Sequence, residues 1–393
     1  MEYKIDGSGR GHKYTQEEIE VVADVMQNAA TLTQGKYRDE FEKKFQEYIG
    51  TDNAFTTCNA TASLEIAAQL CAFKKGDELI APAHTFTASV YPFVKKGANV
   101  VWADIDLNTR VVNSELIEKK ITNKTKAIIV VHLYGYMVEM TSIMELARKY
   151  NLLVIEDVAQ ALGTEMKGKK AGAFGDIGIY SLHSHKNLTT LGEGGIITVK
   201  NSKHAEIIPM LRHNGHCSFS FDREHYWMPA MGNVDMPELN GEMLWPNNYC
   251  LGEVECALGS KLMDRLDQMN NEKRERAIWF IDEFKNFSEL EFHRVNDKRH
   301  NYHLLAARLT NGKRDQLFQK MAYEKKIKCD VRYYPLYRYP LYQKMGFGLA
   351  DCPQTDLFYD SQICFPFEHW RSDDDIRYIV ESTKEALTEL RKG

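Results

Sequence analysis

Lys186 lies in the run Ser181-Leu-His-Ser-His-Lys186-Asn-Leu-Thr-Thr-Leu-Gly-Glu-Gly-Gly195, between a strand-like segment and a glycine-rich turn. A lysine held there can point into a site instead of into water. Desolvation then lowers its pKa and frees the amine to attack a carbonyl. Taken alone it reads first as a solvated surface lysine, because that is what most lysines are. Asp157 follows directly on the apolar run LLVIE, so its carboxylate falls at a strand's carboxyl end. There it can hold a ring nitrogen protonated, which makes the ring an electron sink; a helix N-cap is the ordinary alternative. Gln160, one turn further, can face the same ring. Cys58-Asn59-Ala60-Thr61-Ala62-Ser63-Leu64 joins a strand to a helix, and its small residues let a ligand approach the backbone. A helix start with Thr61 and Ser63 hydroxyls suits a phosphate, although a capped helix explains both hydroxyls equally well. Phe86, just past another strand, can stack on a planar ring or belong to the core. Each signal is weak alone; their order and spacing together are specific.

The elements that must position these residues follow from the hydrophobic pattern. Residues 15–30 and 36–49 read as helices, with Ile19, Val22, Val25 and Met26 at helical spacing. From about residue 54, short Val/Ile-rich runs alternate with amphipathic stretches, which predicts an α/β fold with a parallel sheet buried on both faces. Ligands of such sheets bind at the carboxyl ends of the strands. Residues 213–248 break the pattern: Gly, Asn, Pro and aromatics (Phe219, Phe221, Tyr226, Trp227, Trp245) predict an ordered lid or interface loop. One long helix is predicted from about 252 to 285, and a small α+β domain after it. The expected division is a large domain over 1–265 and a small C-terminal domain over 266–393.

Composition narrows the class. The chain has 393 residues, 44% hydrophobic and 27% charged, with a formal net charge of −5. That balance suits a soluble enzyme and gives no reason to expect nucleic acid or an anionic membrane as partner. The first residues, MEYKIDGSGRGHKY, hold no apolar signal region, and no run is long enough to span a membrane. Eight cysteines without a C-x-x-C pair read as reduced thiols, so a cytoplasmic location is expected. His183-x-His185 and His213-x-x-His216 lack a third ligand at a recognisable spacing, so no metal is expected.

With these residues in place, the chain resembles the DegT/DnrJ/EryC1/StrS sugar aminotransferases, a branch of the fold-type I enzymes that use pyridoxal 5′-phosphate (PLP). The resemblance covers nearly the whole chain. It is carried by LTQGKYRDEFEKKF, CNATASLEIAA, GDELIAPAHTFTAS, TKAIIVVHLYG, VIEDVAQALG, SLHSHKNLTTLGEGG, NNYCLGEVECALG and VRYYPLYRYPLY. It implies a large domain with a mostly parallel seven-stranded sheet between helices, and a homodimer with sites at the interface. It makes Lys186 the Schiff-base lysine and proton shuttle. Asp157 would bind the pyridine nitrogen, Gln160 would lie near the phenolic oxygen, and Phe86 would stack on the ring. Thr61, Ala62 and Ser181 would hold the phosphate, with His183 close by. Asn248 would reach the phosphate from a second subunit. Tyr337, where the family often has histidine, and Arg338 would lie near substrate. The chain departs from the family at Cys250, where an arginine is usual, and at Ala60, often glycine.

The resemblance implies amine transfer from an amino acid, with glutamate expected as donor, to a keto-sugar. PLP-dependent sugar dehydratases of the same family carry histidine where the lysine should be, and His185 is the neighbour of Lys186. The spacings from Ser181 and to the GEGG turn favour Lys186. A binding protein that keeps PLP without turnover is disfavoured by the intact Lys186, Asp157 and Gln160 set. A sugar acid as acceptor would want a cation, for which Arg212, Arg223, Arg332 and Arg338 are candidates; a nucleotide-linked keto-sugar is the alternative.

Overall fold

The structure, a computed structural model, describes residues 2–7, 9–219 and 232–392. Its centre is a seven-stranded sheet built from β1 (Ala54–Thr57), β2 (Glu78–Pro82), β3 (Asn99–Ala103), β4 (Thr125–Val131), β5 (Leu153–Asp157), β6 (Ile177–Ser181) and β7 (Gly195–Val199). The strands lie in the order β1-β7-β6-β5-β4-β2-β3. Only β7 is reversed, pairing antiparallel with both β1 and β6. The strands are short runs of Val, Ile and Ala without polar alternation. Ile128, Ile129, Val154, Ile155, Ile196 and Ile197 are almost entirely buried, because helices cover both faces. The alternation predicts a parallel sheet; the chain forms a mostly parallel one, as the family resemblance implies, with β7 reversed.

The helices that flank this sheet include α1 (Gln16–Asn28), α2 (Lys36–Ile49), α3 (Ala60–Leu70), α4 (Met140–Tyr150) and α5 (Ser202–Arg212). Helix α1 opens with a capping box, Thr15 and Glu18 exchanging side-chain and backbone hydrogen bonds. Helix α2 buries Phe41, Phe45 and Ile49 on one face and ends at Gly50 in the left-handed region.

The single helix expected over 252–285 is two: α6 (Glu253–Leu262) and α7 (Leu266–Asp282), separated by a tight turn at Met263–Arg265. Arg265 leaves helical geometry (φ −117°, ψ 6°) while its guanidinium grips both oxygens of Glu18 at 2.6 and 3.0 Å. A long-range ion pair thus holds a break that local propensity does not announce. Helix α7 bridges two cores. Leu266 and Met269 join the sheet's core, while Ala277, Phe280 and Ile281 join a second core. That second core packs on a three-stranded sheet of β8 (Leu290–Phe292), β9 (Leu305–Leu309) and β10 (Gln362–Phe365), and on the last helix, α8 (Asp373–Lys392). Ile5 from the start of the chain is buried in it too.

Within the 213–248 stretch, the described part forms two short antiparallel ladders, His216–Cys217 with Asn233–Val234 and Glu238–Leu239 with Glu242–Met243. Gln69 exchanges two hydrogen bonds with the backbone of Trp245 and anchors the return of the chain. Phe221, Arg223, Tyr226 and Trp227 lie outside the described residues. The eight cysteines are free thiols. Among the described residues, no helix is long and apolar enough to cross a membrane.

Candidate active site

Parallel strands end on one edge of a sheet, and here that edge carries chemistry. Val131 of β4 pairs with Asp157 of β5, and Asp157 with Ile179 of β6, so three strand ends meet side by side. Ser181 closes β6 opposite Gly195, and Thr57 closes β1 opposite the same glycine. A side chain at Gly195 could not fit: its Cβ would stand 2.4 Å from the carbonyl carbon of Asn59. Gly195 therefore lets the start of α3 close on the strand ends. Above this edge is a cavity of about 610 Å³, bordered by Lys186, Asp157, Gln160, Thr61, Ser181 and Phe86 among others.

Strand alternation separates two adjacent carboxylates on β5. Glu156 goes to a closed pocket, where it meets His132 at 3.0 Å and accepts the amides of Gly172 and Gly175. Asp157 goes to the cavity. Its Oδ2 accepts from Ser89 Oγ at 2.7 Å and its Oδ1 from the Ala159 amide at 3.0 Å. These two donors fix the carboxylate without using its full acceptor capacity.

Lys186 sits in the loop from β6 to β7. That loop is laced by Leu182 and Ser184 amides donating to Gly194 and Gly192 carbonyls, and by Lys186 N–H donating to His183 O. On its outer side Gly11 donates to Ser184 O, and a Cβ at Gly11 would come within 2.3 Å of the Lys186 carbonyl. Burial pushes the Lys186 amine down to about 8; Asp157 opposes that shift and Arg332 adds to it. An amine near 8 exchanges protons close to neutral pH. His185 is exposed beside it, and burial and His183 lower its pKa.

Gln160 is held from both ends. Its Oε1 accepts the Tyr134 amide at 2.7 Å and its Nε2 donates to the Tyr333 hydroxyl at 2.8 Å. Tyr134 takes a left-handed conformation (φ 61°) that a bulky residue rarely adopts. Its hydroxyl is bound to His84 at 2.7 Å and to the Arg332 carbonyl, so it is secured at both ends. Phe86 is 52% exposed, with its ring 5.9 Å from that of Tyr333. It lines the cavity with an open face instead of filling the core.

At the phosphate-like end, Asn59 caps α3 by accepting the Ala62 amide at 2.9 Å. That amide is engaged and Ala62 does not border the cavity, so its contribution is the capped helix end. Thr61 borders the cavity beside Ser181 and His183. The Ala60 and Thr61 amides have no acceptor within their own helix, as at any helix start. His183 stands 3.7 Å from Glu193.

Two expected substrate residues are placed elsewhere. Tyr337 and Arg338 do not border the cavity. The Tyr337 hydroxyl donates to Asp356 and Arg338 pairs with the same carboxylate at 2.6 Å. The turn Leu336–Arg338, fixed by Leu336 N–H to Ala83 O, directs them away, and Tyr333 four residues earlier takes the cavity position. Asn248, expected to serve a second subunit's phosphate site, is exposed, bridges to His213 and does not border this chain's own cavity. Of the candidate cations, Arg332 borders the cavity while paired with Asp330. Arg212 is buried on Glu42 and Thr56, and Arg223 is outside the described residues.

Sequence reasoning assigns no role to Ser89, His303 or Tyr333. Ser89 lies in the same segment as Phe86, but its partner Asp157 is 68 residues away. Nothing local announces it.

The donor set fits PLP. It offers an amine of lowered pKa, a buried carboxylate for a ring nitrogen, an open aromatic face, and hydroxyls beside a helix start for a phosphate. Comparison with known proteins agrees. The sequence pattern of the DegT/DnrJ/EryC1/StrS aminotransferase family matches residues 12–384. A UDP-4-amino-4,6-dideoxy-N-acetyl-beta-L-altrosamine transaminase from Campylobacter jejuni is 32% identical over 92% of this chain and 93% of its own length. A GDP-perosamine synthase from Escherichia coli O157:H7 is 33% identical over 84% of this chain and 85% of its own. The structure superposes on PseC of Helicobacter pylori, an aminotransferase involved in the biosynthesis of pseudoaminic acid, with TM-score 0.88 and 25% identity, covering 99% and 100% of the two chains. It also matches the PLP form of Spr1654 from Streptococcus pneumoniae, with TM-score 0.83 and 25% identity over 98% and 99%. By sequence and by fold alike, this chain belongs to the DegT/DnrJ/EryC1/StrS aminotransferase family and is a PLP-dependent transaminase of sugars.

Proposed function

We propose that the enzyme moves an amino group from L-glutamate to the 8-oxo form of 3-deoxy-octulosonate, giving 8-amino-3,8-dideoxy-octulosonate for lipopolysaccharide. Lys186 is the cofactor's covalent anchor and carries a proton to and from the reacting carbon. PLP, when bound, supplies the electron sink for that carbon. Asp157 keeps the ring nitrogen protonated, Ser89 orients Asp157, and Gln160 faces the phenolic oxygen. Thr61, Ser181, His183 and the α3 start hold the phosphate, and Phe86 covers the ring. The enzyme works as a cytoplasmic homodimer, in which Asn248 of one copy completes the other's phosphate site. The 1–265 and 266–393 portions act as two domains with the cavity at their junction. The gathering of Lys186, Asp157, Gln160, Thr61 and Phe86 around one cavity is the observation that supports this reading most.

A sugar acid calls for a cation, and Arg332 on the cavity wall can supply it. A nucleotide-linked 3- or 4-keto-deoxysugar is the second reading, favoured by the names of the Campylobacter and Escherichia relatives. An absorbance titration separates them. Glutamate should bleach the bound cofactor's visible band, and only the correct keto-sugar class should restore it. Absence of bleaching with any amino acid would refute the assignment.

A further inference from the structure

The residue after Lys186 belongs to a hydrogen-bond relay whose polarity can be read from one end. Asn270 Nδ2 donates to the Leu162 carbonyl at 3.0 Å, and a carbonyl can only accept. This fixes the Asn270 amide and leaves its Oδ1 as the acceptor for Asn187 Nδ2 at 2.7 Å. Asn187 must then turn its own Oδ1 toward His303 Nδ1, 3.1 Å away. An amide oxygen can only accept, so the His303 proton sits on Nδ1.

Burial lowers the pKa of His303 well below the usual imidazole range. Lys186, Lys273, Arg332 and His185 push in the same direction. The ring is therefore neutral and its Nε2 is a bare lone pair. His303 borders the main cavity, and also a smaller one of about 80 Å³. The same wall carries charged groups, the Lys186 amine, the Arg332 guanidinium and the Asp157 and Glu193 carboxylates, and among them His303 Nε2 is a neutral acceptor. A carboxylate or a ketone oxygen has no hydrogen to give to a lone pair. A hydroxyl does.

We propose that His303 is a substrate-binding residue that accepts a hydrogen bond from a hydroxyl of the keto-sugar beside the reacting carbon, and that Asn187 and Asn270 are positioning residues that hold it in the Nδ1–H tautomer. The proposal rests on the keto-sugar reading. Its consequence is asymmetric. Glutamate carries no hydroxyl, so His303 acts in the sugar half-reaction and not in the amino-acid half.

The tautomer is read directly by long-range 15N–1H NMR of histidine-labelled wild-type protein, with the His303 signals assigned from His303→Asn or His303→Gln. The expected spectrum has Nδ1 protonated and Nε2 pyridine-like between pH 6 and 8. A ring protonated on Nε2 overturns the proposal without any variant having to be active. Single-turnover kinetics then separate the halves. The acceptor is 8-oxo-3-deoxy-octulosonate, or a nucleotide-linked 4-keto-deoxysugar if only that restores the cofactor band. His303→Asn keeps a donor for Asn187 but loses the Nε2 acceptor. It should raise the KM for the sugar about tenfold, the loss of one hydrogen bond, and slow the sugar half far more than the glutamate half. His303→Gln, whose amide oxygen can reach the Nε2 position, should recover part of that loss. Asn187→Asp should raise the His303 pKa and weaken sugar binding as the pH falls. Equal slowing of both halves by His303→Asn would sink the idea. If no keto-sugar restores the band in wild type, the functional reading fails, and the hydroxyl ligand with it.

Discussion

Lys186 and Lys273 share one electrostatic shift, and each has a carboxylate opposing it, Asp157 for Lys186 and Glu368 for Lys273; they differ in the cavity each borders. Burial lowers each amine to about 8. Lys273 donates to the His303 carbonyl at 2.9 Å from the middle of α7 and borders the smaller cavity of about 80 Å³, not the main one. Lys186 borders the main cavity of about 610 Å³, in a loop where a Cβ at Gly194 or Gly195 would collide with its neighbours. The same pKa thus marks a structural amine in one place and a reactive one in the other. A lowered pKa identifies a working lysine only when a cavity with room for cofactor and substrate comes with it.

The comparison breaks most sharply by substitution. Lys186→Ala should remove the cofactor's visible band and lower turnover by about 10⁴-fold, since it deletes both anchor and proton carrier. Lys273→Met should keep the band and hold turnover within about tenfold. Persistence of the band in Lys186→Ala would show that the wrong lysine has been assigned.

The carboxylate neighbours Asp157 and Glu156 repeat the contrast one strand over. Asp157→Asn keeps the hydrogen bonds from Ser89 or Ala159 but loses the charge. Turnover should fall about 10²–10³-fold, the usual scale for losing one preorganised electrostatic contact, with little change in thermal midpoint. Glu156→Gln should do the reverse. Its two oxygens serve three donors, from His132, Gly172 and Gly175, so an NH₂ placed there faces another N–H. The expected loss is about 2–3 kcal/mol of stability with activity retained in the folded fraction. Calorimetry and single-turnover assays on the two variants test this, and equal loss of activity would erase the distinction.

The same contrast explains what is legible in the sequence. Lys186, Asp157, Gln160, Thr61 and Phe86 stand at strand ends or just past them. The strand pattern alone therefore announces their common edge. The opposite wall has no such grammar. Tyr333 borders the cavity while Tyr337 does not, because a hydrogen bond from Leu336 to Ala83 turns the chain between them. His303 and Ser89 acquire their roles from partners 116 and 68 positions away. The break between α6 and α7 is hidden for the same reason, being held by Arg265 on Glu18, 247 residues distant. Periodicity reports which face is buried; it does not report which distant group waits there.

The smallest effect is also the cleanest measure of the two lysines. A lysine whose folded pKa is about 8, against an ordinary 10.5, binds fewer protons folded than unfolded throughout that window. Stability from such a group rises as pH increases from 8 toward 10.5 and is lower, and flat, below 8. The slope is at most about 1.4 kcal/mol per pH unit for each lysine. Tyrosines with raised pKa values, such as Tyr333 near 12, oppose it only above about 10. In cofactor-free protein, Lys273→Met should therefore lose one lysine's share of the rise between pH 8 and 9.5, and Lys186→Ala a smaller share, because Lys186 faces an open cavity where solvent screens it. Denaturant titrations at half-unit pH steps give both slopes. Equal losses would mean that the Lys186 site is as dry as the interior around Lys273; no loss in Lys273→Met would mean that its amine is solvated in the folded protein.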